Sequence, residues 1–336
     1  MGKWQPTVGA MAEKLSWKDK SVLVTGGSGF VGQAMVSRFI NQGARVTNLD
    51  IAWPNPVIHG TNFTLDLWDL TNYDLIERAI VESRPDAIFH LGAITQVVNA
   101  KTMPGQTYAT NVMGTVNVLE AARKVGKRDI PVVVASSDKA YGFMPPGIVA
   151  TETTDLQPTH PYDTSKACAD LISRSYGLFF GLNTATVRCG NIYGPGDRNW
   201  QRIVPGALRA GLLGTELVVR SDGTLAREYN FIGDIIDAYI DIAEGLISNR
   251  VVKGKVWLVS DPTNRLSVER VILACEDACG YPIRRVYTNQ ATDEGKSIDL
   301  DPRSIFELGW TPMTTFEAGL AQTAAWLAGE LGMGIL

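Results

Sequence analysis

Cysteine is scarce in this chain. Four thiols in 336 residues, Cys168, Cys189, Cys275 and Cys279, are too few to staple a fold together. Cys275 and Cys279 are spaced as one helical turn, but none of the three histidines stands near them. No metal site is therefore expected, and buried free thiols are. An excess of basic charge is missing too: 31 basic against 35 acidic residues leave −4, without a basic run. That balance argues against a nucleic-acid partner. No apolar stretch reaches the roughly 20 residues of a bilayer-spanning helix. The N-terminus lacks the charged-then-apolar pattern of a secretory signal. The expectation is a cytoplasmic protein with no membrane partner. Repeats and low-complexity tracts are absent as well, which leaves an ordinary globular chain long enough for one large domain or two unequal ones.

What is present is alternation. Residues 1–16, with Pro6 and Gly9, read as a loose leader. Ser21–Thr25 is a short apolar run of the buried parallel-strand type, broken at Gly26-Gly27-Ser28-Gly29. Helical spacing of Phe30, Val31, Met35, Val36, Phe39 and Ile40 follows, ending at Gly43, and a second strand, Arg45 to Leu49, runs into Asp50. Further strands are expected near 61–66, 86–91, 131–136 and 184–189, with helices near 71–82, 105–125 and 162–180. Such alternation predicts an α/β fold, a Rossmann-type doubly wound parallel sheet covered on both faces. After about residue 190 turn signals such as Gly194-Pro195-Gly196 and Asp261-Pro262 separate shorter elements. The domain reading is a dinucleotide-binding domain over 17–190 and a smaller mixed α/β substrate lobe over 191–336, with some segments returning to the first domain.

The glycines at 26, 29 and 32 suit a dinucleotide. Gly26 permits a tight turn, Gly29 lets backbone approach a pyrophosphate, and Gly32 lets helix and strand pack closely. Ser28, Phe30 and Val31 complete that turn, and the helix start offers unpaired N–H groups to phosphate. Asp50, closing the next strand, is placed to accept from ribose hydroxyls and to repel a 2′-phosphate, and Ile51 supplies no compensating cation. NAD is expected over NADP. Asp66-Leu67 is a candidate for holding adenine, or simply an acid ending a strand. His90, with Leu91, Gly92 and Ala93, closes the fourth strand at the carboxyl edge, where ligands lie in open α/β sheets; these residues are assigned to the cofactor wall.

Tyr162 and Lys166 stand one helical turn apart on one face. A phenol titrates near 10, and an ammonium beside it, with a positive nicotinamide ring, would lower that value. The phenolate could then take a substrate hydroxyl's proton, with Ser137 positioning that hydroxyl.

Together these residues resemble the extended short-chain dehydrogenase/reductases, the NAD-dependent sugar-nucleotide epimerases and dehydratases. The likeness spans roughly residues 20–330. It also rests on Asn111-Val-Met-Gly-Thr115, Asn117-Val-Leu-Glu120, Arg188-Cys-Gly-Asn-Ile-Tyr-Gly-Pro195 and Arg227-Glu-Tyr-Asn-Phe-Ile-Gly-Asp234. The resemblance implies a nucleoside-diphosphate sugar as substrate, Asn191 and Arg227 on its diphosphate, and a homodimer paired through the helices near 105–125 and 162–180. Arg198 and Arg220 are lesser phosphate candidates. For Asn191 the alternative is a turn residue before Gly194-Pro195, and for Arg227 an ion pair with Glu228.

The residues after Ser137 bear on the chemistry. In the 4-epimerases of the family small residues follow the serine; in the 4,6-dehydratases an aspartate follows, then a glutamate or lysine. Ser137-Asp138-Lys139 is similar to the lysine-bearing form of CDP-glucose 4,6-dehydratases. Elimination needs an acid, here Asp138, and a base, here Lys139, unless Lys139 only tunes or pairs with Asp138. Two features point the other way: Arg220–Arg227 looks like an epimerase arm, and the segment from Gly142 to Thr159 is short. A 4-epimerase therefore remains the alternative. A catalytically idle dinucleotide-binding protein is a further one, although such a protein is expected to lose Ser137, Tyr162 or Lys166.

Overall fold

A computed structural model describes residues 14–53, 62–125, 129–145, 147–290 and 298–333. Most of the expected leader lies outside the described residues. β1 (Ser21–Thr25), β2 (Arg45–Asp50), β3 (Phe63–Leu67), β4 (Ala87–His90) and β5 (Val132–Ala135) join Thr184–Cys189 and Lys255–Val259 in one seven-stranded parallel sheet. Its order is Lys255–Val259, Thr184–Cys189, β5, β4, β1, β2, β3. The order reverses between β1 and β4, so a crevice opens at their carboxyl ends, where Thr25 pairs with His90.

Strand periodicity explains why the sheet is buried on both sides. Val22 and Val24 of β1 point to one face and pack with Met35, Val36 and Phe39 of α1 (Phe30–Asn41) and with the helix Ile232–Ile247. Leu23 points to the other and packs with Ile76 and Ile80 of α2 (Tyr73–Ser83) and with Val118 and Leu119. The expected helix near 105–125 is present as Pro104–Tyr108 and Gly114–Lys124 joined by a π-helical turn, Ala109–Met113. That turn carries buried Asn111, whose Oδ1 accepts from the Ile94 N–H at 2.7 Å and whose Nδ2 donates to the Ile94 carbonyl at 3.0 Å. The loop after β4 is thereby pinned.

Beyond residue 190 the chain builds a smaller layer and also returns to the first sheet. Lys255–Val259 forms the sheet's edge beside Thr184–Cys189, and Ile232–Ile247 covers one face. The smaller layer has a three-stranded sheet of Asn191–Tyr193, Ala226–Phe231 and Arg265–Ser267, with the helices Ile203–Leu213 and Val268–Cys279 packed on each other. Cys275 and Cys279 are buried free thiols in that helix pair's core. Among the described residues, no group of three metal-ligating side chains occurs, and no helix is long and apolar enough to cross a membrane.

One buried charge links three elements. Arg188, fully buried in Thr184–Cys189, donates from Nε and Nη2 to the two carboxylate oxygens of Asp170 at 2.7 and 3.0 Å. Its Nη1 donates to the Tyr141 hydroxyl at 2.7 Å, which in turn donates to the Thr151 carbonyl at 2.7 Å. Asp170 belongs to the helix Pro161–Leu178 and Tyr141 to the short 3₁₀ turn Asp138–Tyr141. Removing one member leaves a charge stranded away from water, a cost of about 3–5 kcal/mol. Asp170→Ala should lose that much unfolding free energy in urea. A loss below about 1 kcal/mol would show that the link is not needed.

Candidate active site

The glycine turn after β1 is tight because neighbouring backbone fills the space side chains would use. Gly26 has φ +71°, and a Cβ there would lie 2.6 Å from the Gly92 Cα. A Cβ on Gly32 would lie 2.0 Å from the Gly26 carbonyl oxygen. α1 starts at Phe30 with no side chain capping it, leaving its first N–H groups directed at the crevice mouth. Asp50 stands across from the turn: its Oδ2 accepts from the Ser28 N–H at 2.9 Å and its Oδ1 from the Ile51 N–H at 2.7 Å. Asn48, buried within β2, accepts from the Gly27 N–H at 2.9 Å. Sequence reasoning passed over Asn48, which stands among the polar residues of β2 without a distinguishing signal.

This turn forms one end of a cleft of about 1790 Å³, lined at that end by Gly26, Ser28, Gly29, Phe30, Val31, Gly32 and Asp50, and by Leu91, Gly92 and Ala93. The volume exceeds the roughly 300–1,000 Å³ of a single small-ligand pocket and suits two large ligands end to end. A bare glycine cradle, an uncapped helix start and a carboxylate on the rim fit the pyrophosphate and ribose of NAD. Asp66 and Leu67 do not line the cleft. They pair in register with Leu49 and Asp50, and the wall beside them is made by Trp68, Asp69 and Leu70. His90 also stands behind the wall. Its Nδ1 bonds the Thr25 hydroxyl at 2.7 Å and its Nε2 the Thr115 hydroxyl at 2.9 Å. Burial, and then the Lys166 charge, push it down to about 3, so it is a neutral brace.

Midway along the cleft lie Ser137, Asp138, Lys139, Tyr162 and Lys166. β5 and the helix Pro161–Leu178 bring them together. Ser137 caps the turn Asp138–Tyr141; its hydroxyl donates to Asp138 Oδ1 at 2.8 Å and accepts from the Lys139 N–H at 3.2 Å. Lys139 N–H also reaches Asp138 Oδ1 at 2.8 Å. Ser137 and Asp138 are buried, and Lys139 is half-buried. Lys166 donates from Nζ to the Ala135 carbonyl at 2.7 Å, and burial lowers it to about 8.

Burial dominates at the Tyr162 phenol. Burial first, and then the Asp138 carboxylate, push it up to about 12, while hydrogen bonding by Ser137 and the charge of Arg202 pull it down. Desolvation of the phenolate outweighs the cations the chain places near it. Arg202, which the sequence did not single out, also pairs with Asp197 at 3.0 Å and lies over the Phe30 ring at 5.8 Å.

The far arm of the cleft carries Asn191, Arg227, Arg220 and Arg209. Asn191 Nδ2 donates to the Glu228 carbonyl at 3.4 Å, which fixes it between Asn191–Tyr193 and Ala226–Phe231. Arg198 is turned elsewhere, pairing with Glu330 and lying 5.3 Å over the Trp326 ring. Glu228, beside Arg227, is buried. It accepts from the Ser260 hydroxyl at 2.5 Å and the Leu300 N–H at 3.4 Å, which ties Asp299–Leu300 to the lobe.

Burial raises the Glu228 carboxyl from its ordinary 4.5 to about 7. A group raised on folding contributes stability that is fully present below its unfolded value and is lost as pH rises through its folded value. Wild type should therefore lose on the order of 2–3 kcal/mol relative to Glu228→Gln as pH climbs through that window. Paired denaturation curves from pH 4 to 8 check this, and parallel profiles would contradict it.

Comparison with known proteins agrees with this geometry. Residues 22–253 match the NAD dependent epimerase/dehydratase family. A curated relative, the dTDP-glucose 4,6-dehydratase of Xanthomonas campestris pv. campestris (strain B100), is 30% identical, with 90% of this chain and 92% of the relative covered. A dTDP-glucose 4,6-dehydratase from Streptomyces venezuelae, solved with NAD, superposes with a TM-score of 0.81 at 27% identity, covering 93% of this chain and 98% of that one. A UDP-glucose 4-epimerase from Thermus thermophilus, in complex with NAD, gives 0.80 at 27% identity, covering 92% and 99%. The chain belongs to the NAD-dependent epimerase/dehydratase family and is an NAD-dependent sugar-nucleotide dehydratase or epimerase.

Proposed function

We propose that this enzyme is a nucleoside-diphosphate-glucose 4,6-dehydratase. The observation that carries the reading is Asp138, a buried carboxyl one residue past the serine, hydrogen-bonded to it and facing the cleft that holds Tyr162. A 4-epimerase inverts one carbon and has no use for an acid at the next two. The relatives named dTDP-glucose 4,6-dehydratase support the same choice.

In this reading Gly26–Gly32 and Asp50 hold NAD, while Asn191 and Arg227 hold the diphosphate, the arginine by paired N–H donors. When bound, NAD accepts a hydride from sugar carbon 4, returns it to carbon 6, and brings a cationic ring that favours phenolate. Ser137 orients the 4-hydroxyl, and Tyr162 takes its proton. Lys166, held on the Ala135 carbonyl, keeps a positive charge behind the phenol. The resulting ketone acidifies the proton on carbon 5. As that proton leaves, the bond from carbon 6 to its hydroxyl breaks, and Asp138 gives the departing oxygen a proton so that it leaves as water. Asp138 Oδ1 already accepts two donors, so Oδ2 is the oxygen assigned to the transfer.

The base of the nucleotide is not read by any motif. The lysine after Asp138 supports CDP-glucose, and the names of the relatives support dTDP-glucose. Incubation with CDP-, dTDP-, UDP- and GDP-glucose in deuterated water, followed by mass analysis, tests the reading. A product one water lighter with deuterium at carbon 5 is expected. Unchanged mass with carbon 4 inverted would establish the epimerase instead. Tyr162→Phe should lose at least about 100-fold in turnover while retaining NAD.

We also propose a homodimer. The helices at 104–124 and 161–178 expose Met113, Leu171 and Leu178, apolar side chains that pairing would cover. Light scattering should give the mass of two chains for wild type and of one for Leu171→Glu. A monomeric wild type at micromolar concentration would contradict the pairing.

A further inference from the structure

We infer that Arg202, which no motif assigns, reaches from the smaller layer to the pyrophosphate of NAD, and that buried Asp197 is its positioning residue. Such a contact serves the cofactor, whether the enzyme eliminates water or inverts carbon 4.

The cofactor end of the cleft is short of positive charge. Its glycine turn, Phe30 and the Leu91–Ala93 stretch bring backbone N–H groups, and Asp50 brings a carboxylate. A pyrophosphate is dianionic, and Asp50 on the rim adds to that charge. The start of α1 answers it with roughly half an elementary charge. Arg202 stands beside this end, with its Cζ 5.8 Å from the centre of the Phe30 ring. Phe30 is the first residue of α1. Arg202 also lines the cleft, and its charge is felt at the Tyr162 hydroxyl. It therefore lies along the stretch from the helix start to the phenol, where the pyrophosphate leads into the nicotinamide half.

The arginine is held in place by its own loop. Asp197, 2% exposed, accepts from Arg202 Nη1 at 3.0 Å through Oδ2 and from the Asn199 N–H at 3.0 Å through Oδ1. The Arg202 N–H donates to the Asn199 carbonyl at 2.9 Å, just before the helix Ile203–Leu213 begins. Burial raises the Asp197 carboxyl, and the Arg202 charge opposes that rise. This pair engages one amino group of the guanidinium, and the arginine side chain stays 42% exposed. A guanidinium carries further N–H donors in a planar fork that matches phosphate oxygens. Asp197 thus fixes the cation from behind, and the remaining donors are left to a ligand.

Two other roles are open to the same side chain: a contact to the substrate's diphosphate, beside Arg227, or a pair with Asp197 that only fastens the loop. Release of NAD separates them. The NAD-loaded enzyme is chased with radiolabelled NAD at several NaCl concentrations, and dTDP, CDP, UDP and GDP are titrated into the same loaded enzyme by calorimetry. Arg202→Gln should release NAD at least about 10-fold faster than wild type, the loss expected for a hydrogen bond to a charged group. Its release should also depend less steeply on salt, because a charge contact to phosphate is gone. Arg202→Lys should recover part of the retention, having the charge without the fork. Asp197→Asn should show the same change in salt dependence with a smaller change in rate. Whichever nucleoside diphosphate binds wild type should bind Arg202→Gln within about threefold. Wild-type NAD release in Arg202→Gln would overturn the inference, and weakened nucleoside-diphosphate binding beside it would give the arginine to the substrate. Faster release with an unaltered salt dependence would overturn it as well, since that is the mark of a loosened loop. A wild type that binds none of the four diphosphates would count against the proposed substrates and leave NAD release to decide the role of Arg202.

Discussion

The buried guanidinium of Arg188 is the constraint on which the reactive centre depends. It joins the strand on which it sits, the helix that carries Tyr162 and Lys166, and the turn that carries Asp138 and Lys139. Arg188 itself does not line the cleft. The paired bonds to Asp170 and the bond to Tyr141 nevertheless set how far the phenol stands from the acid. Buried ion pairs add little net stability, but they hold geometry that apolar packing would leave adjustable. In the proposed dehydratase reading, the geometry held is the separation of Tyr162 from Asp138.

A second constraint fixes the other end of the cleft. The Gly26 turn is pressed so closely against Gly92 that position 26 has no room for a side chain, and at Gly92 a side chain would meet Leu70. The π-helical turn holds Asn111 on the loop that follows. The cofactor cradle and the reactive centre are therefore attached to the same strands, β1, β4 and β5.

Much of this was legible in the sequence. Gly26, Gly29 and Gly32 between an apolar run and a helical period, answered by Asp50, define a parallel sheet's switch point by local chemistry alone. Tyr162 and Lys166 were legible for the same reason, since four residues on a helix is a short-range spacing. What escaped is long-range. The tie from Arg188 to Asp170 and Tyr141 joins positions 18 and 47 residues away, and the sequence offers only an arginine placed oddly inside an apolar strand. The adenine candidates Asp66 and Leu67 stand in strand register beside Leu49 and Asp50. Sequence spacing shows the ammonium beside Tyr162 but not the burial that raises the phenol.

The central claim is that the serine-bearing turn and the tyrosine-bearing helix divide one sugar ring between them. A crystal structure of the Tyr162→Phe enzyme with NAD and an intact nucleotide-glucose tests it most directly. The account predicts the 4-hydroxyl against Ser137 and residue 162, the carbon 5–carbon 6 edge against Asp138, and the diphosphate on Arg227. A sugar bound with its carbon 6 directed away from Asp138, toward solvent, would contradict it.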